Sequence, residues 1–222
     1  MAQAVAVNGL MNSYNAKLLV FSKAPEPGRV KTRLMSQYSA EQAANIHSNL
    51  IHHTLSVATE TALCPVELWC SPDTSHAFFQ QCQTQYGVTL KKQKGADLGE
   101  RMFNAFQDAL TSCDYVILIG TDCPTLTHKD FQAALDALTN QHDIAISPAF
   151  DGGYVLIALS RLHPKLFSNI AWGQDQVYSQ TLERINALNF RFKKLASHSD
   201  IDHPQDLQGA PPSLLNSLNN IG

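Results

Sequence analysis

Four cations crowd one short stretch near the start of the chain. Lys23, Arg29, Lys31 and Arg33 all lie within KLLVFSKAPEPGRVKTRL, residues 17–34, directly after an apolar run. Arginine can clamp phosphate with two parallel N–H donors, and lysine supplies a compact charge. Gly28 sits among them and lets the backbone come close to a ligand. The chemistry predicted is the binding of a polyphosphate, with a solvated basic turn as the competing reading. PGRVKT imitates the tail of G-x-x-x-x-G-K-[ST], but position 25 is proline and position 30 is valine, so the P-loop match fails. There is no G-x-G-x-x-G either, which disfavours a Rossmann dinucleotide site.

Carboxylates follow three later apolar runs. Asp122, in ILIGTDCP, suits Mg²⁺, which is held by one or two carboxylates together with substrate phosphates; it equally suits a turn. Asp151, in FDGGYVLI, precedes Gly152 and Gly153, which allow close approach to a ligand, although Asp-Gly is also an ordinary tight-turn signal. Asp200 and Asp202 flank Ile201, so on extended backbone they share a side and hold a metal, or else cap a short helix near Pro204. GADLGERM puts Glu100 and Arg101 at a helix start. Glu100 suits the helix dipole, whereas Arg101 opposes it and is the stronger functional candidate. Trp172, in AWGQDQV, reads as a core anchor, with Gln174 and Asp175 left open.

These residues need a frame. Apolar runs at 17–22, 65–70, 87–92, 114–120, 142–148, 154–160 and 190–195 predict strands, several of them covered on both faces. Helical patterns fall at 39–61, 73–86, 98–110, 127–138 and 175–188. Ser39/Gln42 and Thr127/Asp130 supply start signals. The alternation predicts an α/β fold, a mostly parallel sheet between two helix layers. AFDGG is too short for a crossover helix, so 142–148 and 154–160 form an antiparallel excursion or one kinked strand. Ligands of such sheets bind beyond the carboxyl ends of the strands, where all four polar segments should meet.

The chain has 222 residues, 44% hydrophobic and 16% charged, with a net charge of -3. That fits one α/β domain over 17–222, preceded by a loose extension at 1–16, in which Met11 is an alternative start. Mild acidity argues against nucleic-acid binding. Nothing reads as a signal peptide or membrane span. Five cysteines without a C-x-x-C pair argue against disulfides and structural zinc and fit a cytoplasmic protein with buried thiols. His52 and His53 are adjacent, a poor metal pair on a helix. Oligomeric state, a homodimer included, stays open.

Together, FSKAPEPGRVKTRL, GADLGERMFNAF, ILIGTDCPTLT, SPAFDGGYVLIAL, WGQDQV and DIDHPQDL resemble a bacterial family first catalogued as a domain of unknown function. Its members are described as glycosyltransferase-like proteins with a GT-A, or nucleotide-diphospho-sugar transferase, fold, and some are associated with arsenosugar biosynthesis. More distantly, the chain is similar to nucleotidyltransferases of the molybdenum-cofactor and 2-phospho-lactate guanylyltransferase kind. The resemblance implies a single-domain, GT-A-like three-layer αβα sandwich with a mostly parallel mixed sheet. It implies that Lys31 and Arg33 grip nucleotide phosphates with Lys23, Gly28, Arg29 and Arg101 in support. Asp122, joined by Asp202, would hold Mg²⁺ or Mn²⁺. Asp151 would be an acceptor-side or second metal carboxylate, and the first choice of base if sugar transfer inverts; Lys31 would be the charge beside the leaving group, with Gly152, Gly153 and Gln174 on the acceptor side. Phe150, His203, Gln205, Gly173 and Gln174 depart from the family pattern. The implied reaction is sugar transfer from a nucleotide sugar to a small-molecule acceptor. The alternative is nucleotidyl transfer from a nucleoside triphosphate, which four cations favour. A binding module without catalysis is the third reading.

Overall fold

A computed structural model describes residues 14–60 and 62–210. Seven strands form one sheet: β1 (Ala16–Lys23), β2 (Val66–Ser71), β3 (Thr89–Lys92), β4 (Tyr115–Ile119), β5 (Ile144–Pro148), β6 (Tyr154–Leu159) and β7 (Phe192–Lys194). Their order is β3-β2-β1-β4-β6-β5-β7. Every pairing is parallel except the two made by β6, which runs antiparallel to both β4 and β5. The short AFDGG connection is therefore the turn of an antiparallel excursion, and β6 is wedged between two strands that run the same way.

Continuous apolar runs become strands here because both faces are covered. In β1, Leu18 and Val20 point into one core with Ile51, Leu55, Phe79, Phe131 and Leu135. Leu19 and Phe21 point into the other with Met102, Phe106 and Ile185. Helices α1 (Ala40–Glu60), α2 (Ala77–Tyr86) and α4 (His128–Thr139) thus cover one face; α3 (Leu98–Ala109) and α5 (Val177–Ala187) cover the other. The result is the three-layer αβα sandwich of the GT-A-like class. Both outer strands carry lysine pairs, Lys91–Lys92 on β3 and Lys193–Lys194 on β7, which discourage further strand pairing at those edges.

Two helix starts fall later than the sequence pattern predicts. Before α2, the Asp73 carboxylate accepts from the Ser75 backbone N–H (2.8 Å) and hydroxyl, which makes a local turn, and His76 caps the helix instead. Asp175 also precedes α5, because its backbone is packed against Gly152. Of the proposed extension, residues 1–13 lie outside the described residues. Tyr14 donates to Asp136 Oδ1 at 2.8 Å and Ala16 is buried in β1, so the described domain starts before position 17. No helix among the described residues is long and apolar enough to cross a membrane. The five cysteines are free thiols, and burial pushes those of Cys64 and Cys70 up to about 12, consistent with inert core side chains.

Candidate functional site

Because β1, β4, β5 and β7 all run the same way, the segments that follow them meet at one edge. The loop after β1 turns at Gly28, whose φ is +75°, and again at Lys31, whose φ is +49°. A short 3₁₀ helix follows, Thr32–Ser36, pinned by the buried Leu34. A lysine in the left-handed region costs roughly 1–2 kcal/mol. The contacts of its side chain offset that cost. Lys31 Nζ lies 2.7 Å from Asp122 Oδ1 and 3.3 Å from Asp202 Oδ1, and it donates to the Ile201 carbonyl. Its side chain is only 4% exposed. Lys31 is thus enclosed by carboxylates rather than presented to solvent. Lys23, Arg29 and Arg33 are the exposed cations of this loop. Arg29 pairs with Glu26 at 3.0 Å, and Arg33 Nη1 donates to Asp202 Oδ2 at 2.7 Å.

Asp122 divides its two oxygens. Oδ1 is buried against Lys31, with His47 Nδ1 4.0 Å away, while the side chain keeps 47% exposure, so Oδ2 is the open oxygen. Burial raises the Asp122 pKa, but the charges of Lys31, His47 and Lys23 outweigh it and hold the carboxyl below its ordinary value. Asp200 behaves oppositely. Burial, then the negative charges of Asp151, Asp202 and Asp122, push its carboxyl up to about 6. Three other carboxylates therefore add to the effect of burial on Asp200. Asp202, by contrast, is committed to Lys31 and Arg33. Neither aspartate caps the 3₁₀ helix at Pro204–Gly209, contrary to one of the sequence alternatives. The N-cap is His203, in a capping box with Asp206, whose Oδ2 accepts from the backbone N–H groups of Asp202 (3.0 Å) and His203 (2.6 Å).

Asp151 is exposed at the β5–β6 turn, where Oδ1 accepts from the Gly153 N–H at 2.9 Å. Gly152 has φ +92°, and a Cβ there would sit 2.0 Å from the Asp175 carbonyl oxygen. Its carbonyl accepts from Tyr178 N at 2.8 Å. Gly152 thus admits the segment before α5. Gln174 is exposed on that segment. Arg101 donates through Nε to the Gly95 carbonyl (3.1 Å) from the first turn of α3. Trp172 packs against Gly99, where a Cβ would come within 2.8 Å of its indole nitrogen, so it is the core anchor expected.

Two histidines that the sequence patterns leave unassigned support the loops from α1. Buried His47 donates through Nε2 to the Lys23 carbonyl (3.1 Å), and burial lowers its pKa. His53 donates through Nε2 to the Pro124 carbonyl at 2.9 Å, whereas His52 turns toward the Tyr86 hydroxyl, so the pair does diverge. No local motif marks these roles; only helical spacing toward the core hints at His47. A shallow cavity of about 190 Å³ opens beside the site, between Lys23, Glu26 and Arg29 on one side and Ser71 and Pro72 on the other. A larger hollow of about 380 Å³ on α2 is walled by Gln80, Gln81, Thr84 and Gln85, none of them charged.

Among the described residues, no three His, Cys, Asp or Glu side chains converge as a ready-made metal cage. The arrangement still fits a divalent cation. The side chain of Asp122 keeps an open oxygen, and Mg²⁺ needs only one or two carboxylates plus phosphate oxygens.

A family described as "Uncharacterized protein conserved in bacteria (DUF2064)" matches residues 54–174, more than half of the chain. The chain belongs to this family. Among solved structures, this DUF2064 chain is similar to a protein of Desulfovibrio desulfuricans G20 described as a candidate nucleotide-diphospho-sugar transferase. The two are 28% identical with a TM-score of 0.79, over 93% of this chain and 96% of that one. A CMP:2-keto-3-deoxy-manno-octonic acid synthetase complexed with CTP aligns over 93% of this chain and 99% of its own, with a TM-score of 0.58 and 12% identity. A 4-diphosphocytidyl-2C-methyl-D-erythritol synthase from Anaerococcus prevotii DSM 20548 covers 92% and 100%, with a TM-score of 0.61 and 11% identity. These two share the fold alone. No curated protein matches the chain.

Proposed function

We propose that the chain is a metal-assisted transferase that moves a sugar from a nucleotide-diphospho-sugar to a small acceptor. One observation carries this reading. The exposed cations Lys23, Arg29 and Arg33 lie on the loop after β1, which the Lys31–Asp122 ion pair ties to the edge that carries the open Asp122 oxygen. The relative that is 28% identical, described as a candidate enzyme of this kind, supports the donor class. With Lys31 enclosed, three loop cations rather than four remain to meet phosphate, a supply suited to a diphosphate.

Each residue then has a task. Arg29 and Arg33 take phosphate oxygens in charge-assisted hydrogen bonds, and Lys23 lines the adjoining cavity. Asp122 and Asp200 would hold Mg²⁺ or Mn²⁺, which supplies Lewis-acid stabilisation of the departing nucleoside diphosphate. Lys31 acts behind them, fixing Asp122 Oδ1 so that Oδ2 faces outward. Asp151 keeps one oxygen outside its own turn and is the carboxylate placed to accept the proton of an acceptor hydroxyl.

Nucleotidyl transfer is the second reading. It draws support from the two cytidylyl-type neighbours, at 11% and 12% identity. Thermal unfolding with Mg²⁺ present separates the two, because a ligand of the folded state raises the midpoint. Stabilisation by nucleotide sugars and nucleoside diphosphates, without a response to triphosphates, is the expected result. The reverse pattern favours nucleotidyl transfer, and no response to any nucleotide refutes both.

A further inference from the structure

Beside the carboxylate cluster stands a set of side chains that the transferase reading does not use. Thr125 lies on the loop after β4, and its Oγ1 is 3.0 Å from His198 Nδ1. His198 Nε2 is 3.0 Å from Asp130 Oδ1. Asp130 is fixed in turn, because its Oδ2 accepts from both the backbone N–H and the hydroxyl of Thr127 at 2.8 Å. A carboxylate only accepts, so the neutral imidazole carries its hydrogen on Nε2, and Nδ1 is left to accept from the Thr125 hydroxyl. The His198 and Asp130 side chains are 13% and 16% exposed, while Thr125 is exposed. Thr125 and Asp130 come from the stretch that joins β4 to α4 and His198 from the segment after β7, and the backbone of His198 is bonded on both sides, to Pro148 and Phe150.

We propose that Thr125, His198 and Asp130 form a nucleophile, base and carboxylate set that attacks phosphoric esters or anhydrides. Hydroxyl-to-base and base-to-carboxylate hydrogen bonds are both within the range that activates a side-chain alcohol. Burial raises the Cys123 thiol's pKa, so it stays protonated, and it lies 3.4 Å from Thr125 Oγ1, where it can donate without occupying the base. Phosphorus is the electrophile that fits. The set adjoins the first turn of α4, where Lys129 is exposed and offers positive charge to an anionic ester, Asp130 itself taking the backbone N–H of Thr127. In the step, Thr125 Oγ1 bonds to phosphorus and the bond from phosphorus to the leaving group breaks, its electron pair departing with that group. The hydroxyl proton passes to His198 Nδ1, and the imidazolium so formed is held by Asp130. No residue of the set belongs to the loop after β1, so the proposal does not depend on which nucleotide that loop takes.

The test uses the full chain and an alkyl fluorophosphonate, in which fluoride is the leaving group. Intact mass and peptide mapping report the site of modification, and thermal unfolding reports folding. A single adduct on Thr125 is expected, absent in Thr125→Val, retained in Thr125→Ser, and slowed about a hundredfold or more in His198→Gln. A purely structural clamp leaves Thr125 unmodified. The proposal is overturned by no adduct, by an adduct elsewhere such as on Cys123, or by an unchanged rate at Thr125 in His198→Gln. Should His198→Gln not fold, Thr125→Ser decides: labelling at residue 125 upholds the proposal and its absence overturns it.

Discussion

Lys31 Nζ lies 2.7 Å from Asp122 Oδ1, and through that ion pair the loop after β1 is tied to the loop after β4. The same ammonium reaches Asp202 at 3.3 Å, so the tail after β7 is tied in as well. Lys31→Met should leave two carboxylates facing each other without their shared cation. Breaking a fully buried pair costs about 3–5 kcal/mol; Asp122 and Asp202 keep solvent contact, so about 2 kcal/mol is expected here. Urea unfolding measures it. Adding Asp122→Asn should restore part of the loss, and strict additivity of the two changes would contradict the pairing.

Asp200 sets a pH dependence of unusual sign for a carboxylate. Its folded pKa of about 6 lies above the ordinary 3.8, so the folded chain holds this proton more tightly than the unfolded chain does. The stabilisation is complete below the unfolded value and is lost as pH rises through about 6. In EDTA, the thermal midpoint should fall between pH 5 and pH 7. Asp200→Asn should flatten that slope and stabilise the protein at pH 7 by about 1 kcal/mol, allowing for solvent screening. Mg²⁺ should stabilise the unaltered chain at pH 7 more than it stabilises this variant.

Arg33 should matter to ligand more than to fold. Its pair with Asp202 is exposed on the arginine side, so Arg33→Gln should cost under about 1 kcal/mol of stability. Loss of a charge-assisted phosphate contact should weaken nucleoside diphosphate binding about tenfold or more. Isothermal titration with Mg²⁺ present measures the second effect. Unchanged affinity would remove Arg33 from the phosphate site.

Gly152 and Gly173 make a matched pair of tests. Both have positive φ, +92° and +79°, but a Cβ at Gly152 would meet the Asp175 carbonyl oxygen at 2.0 Å, whereas nothing lies within 4 Å at Gly173. Gly173→Ala should cost only the left-handed penalty, about 1 kcal/mol. Gly152→Ala should cost that and the displacement of the segment before α5, at least about 3 kcal/mol in all. Equal losses in denaturant unfolding would mean that the close approach at Gly152 carries no energy.

The order of strands and helices was legible because it rests on short-range patterns. The run KLLVFS becomes a strand covered on both faces, and Thr127 with Asp130 starts α4, as their types and spacing predict. The meeting of the basic loop with Asp122 at one sheet edge was legible too, since parallel strands bring their carboxyl ends together. The antiparallel course of β6 was readable only as one of two alternatives, because a five-residue connection excludes a crossover helix without choosing between a turn and a kink.

What the sequence by itself determined is therefore the frame and the edge at which charged groups collect: residue types within a few positions of one another decide local structure and burial. Only the tertiary structure decided how those charges are shared. Lys31 meets Asp202 across 171 positions, and His198 meets Asp130 across 68. Neither pairing has a local signature, because each depends on sheet register and on where the tail after β7 is laid down. Asp200 and Asp202, two residues apart, show the difference most directly. Asp202 is neutralised by Lys31 and Arg33, while Asp200 faces other carboxylates and retains its proton up to about pH 6.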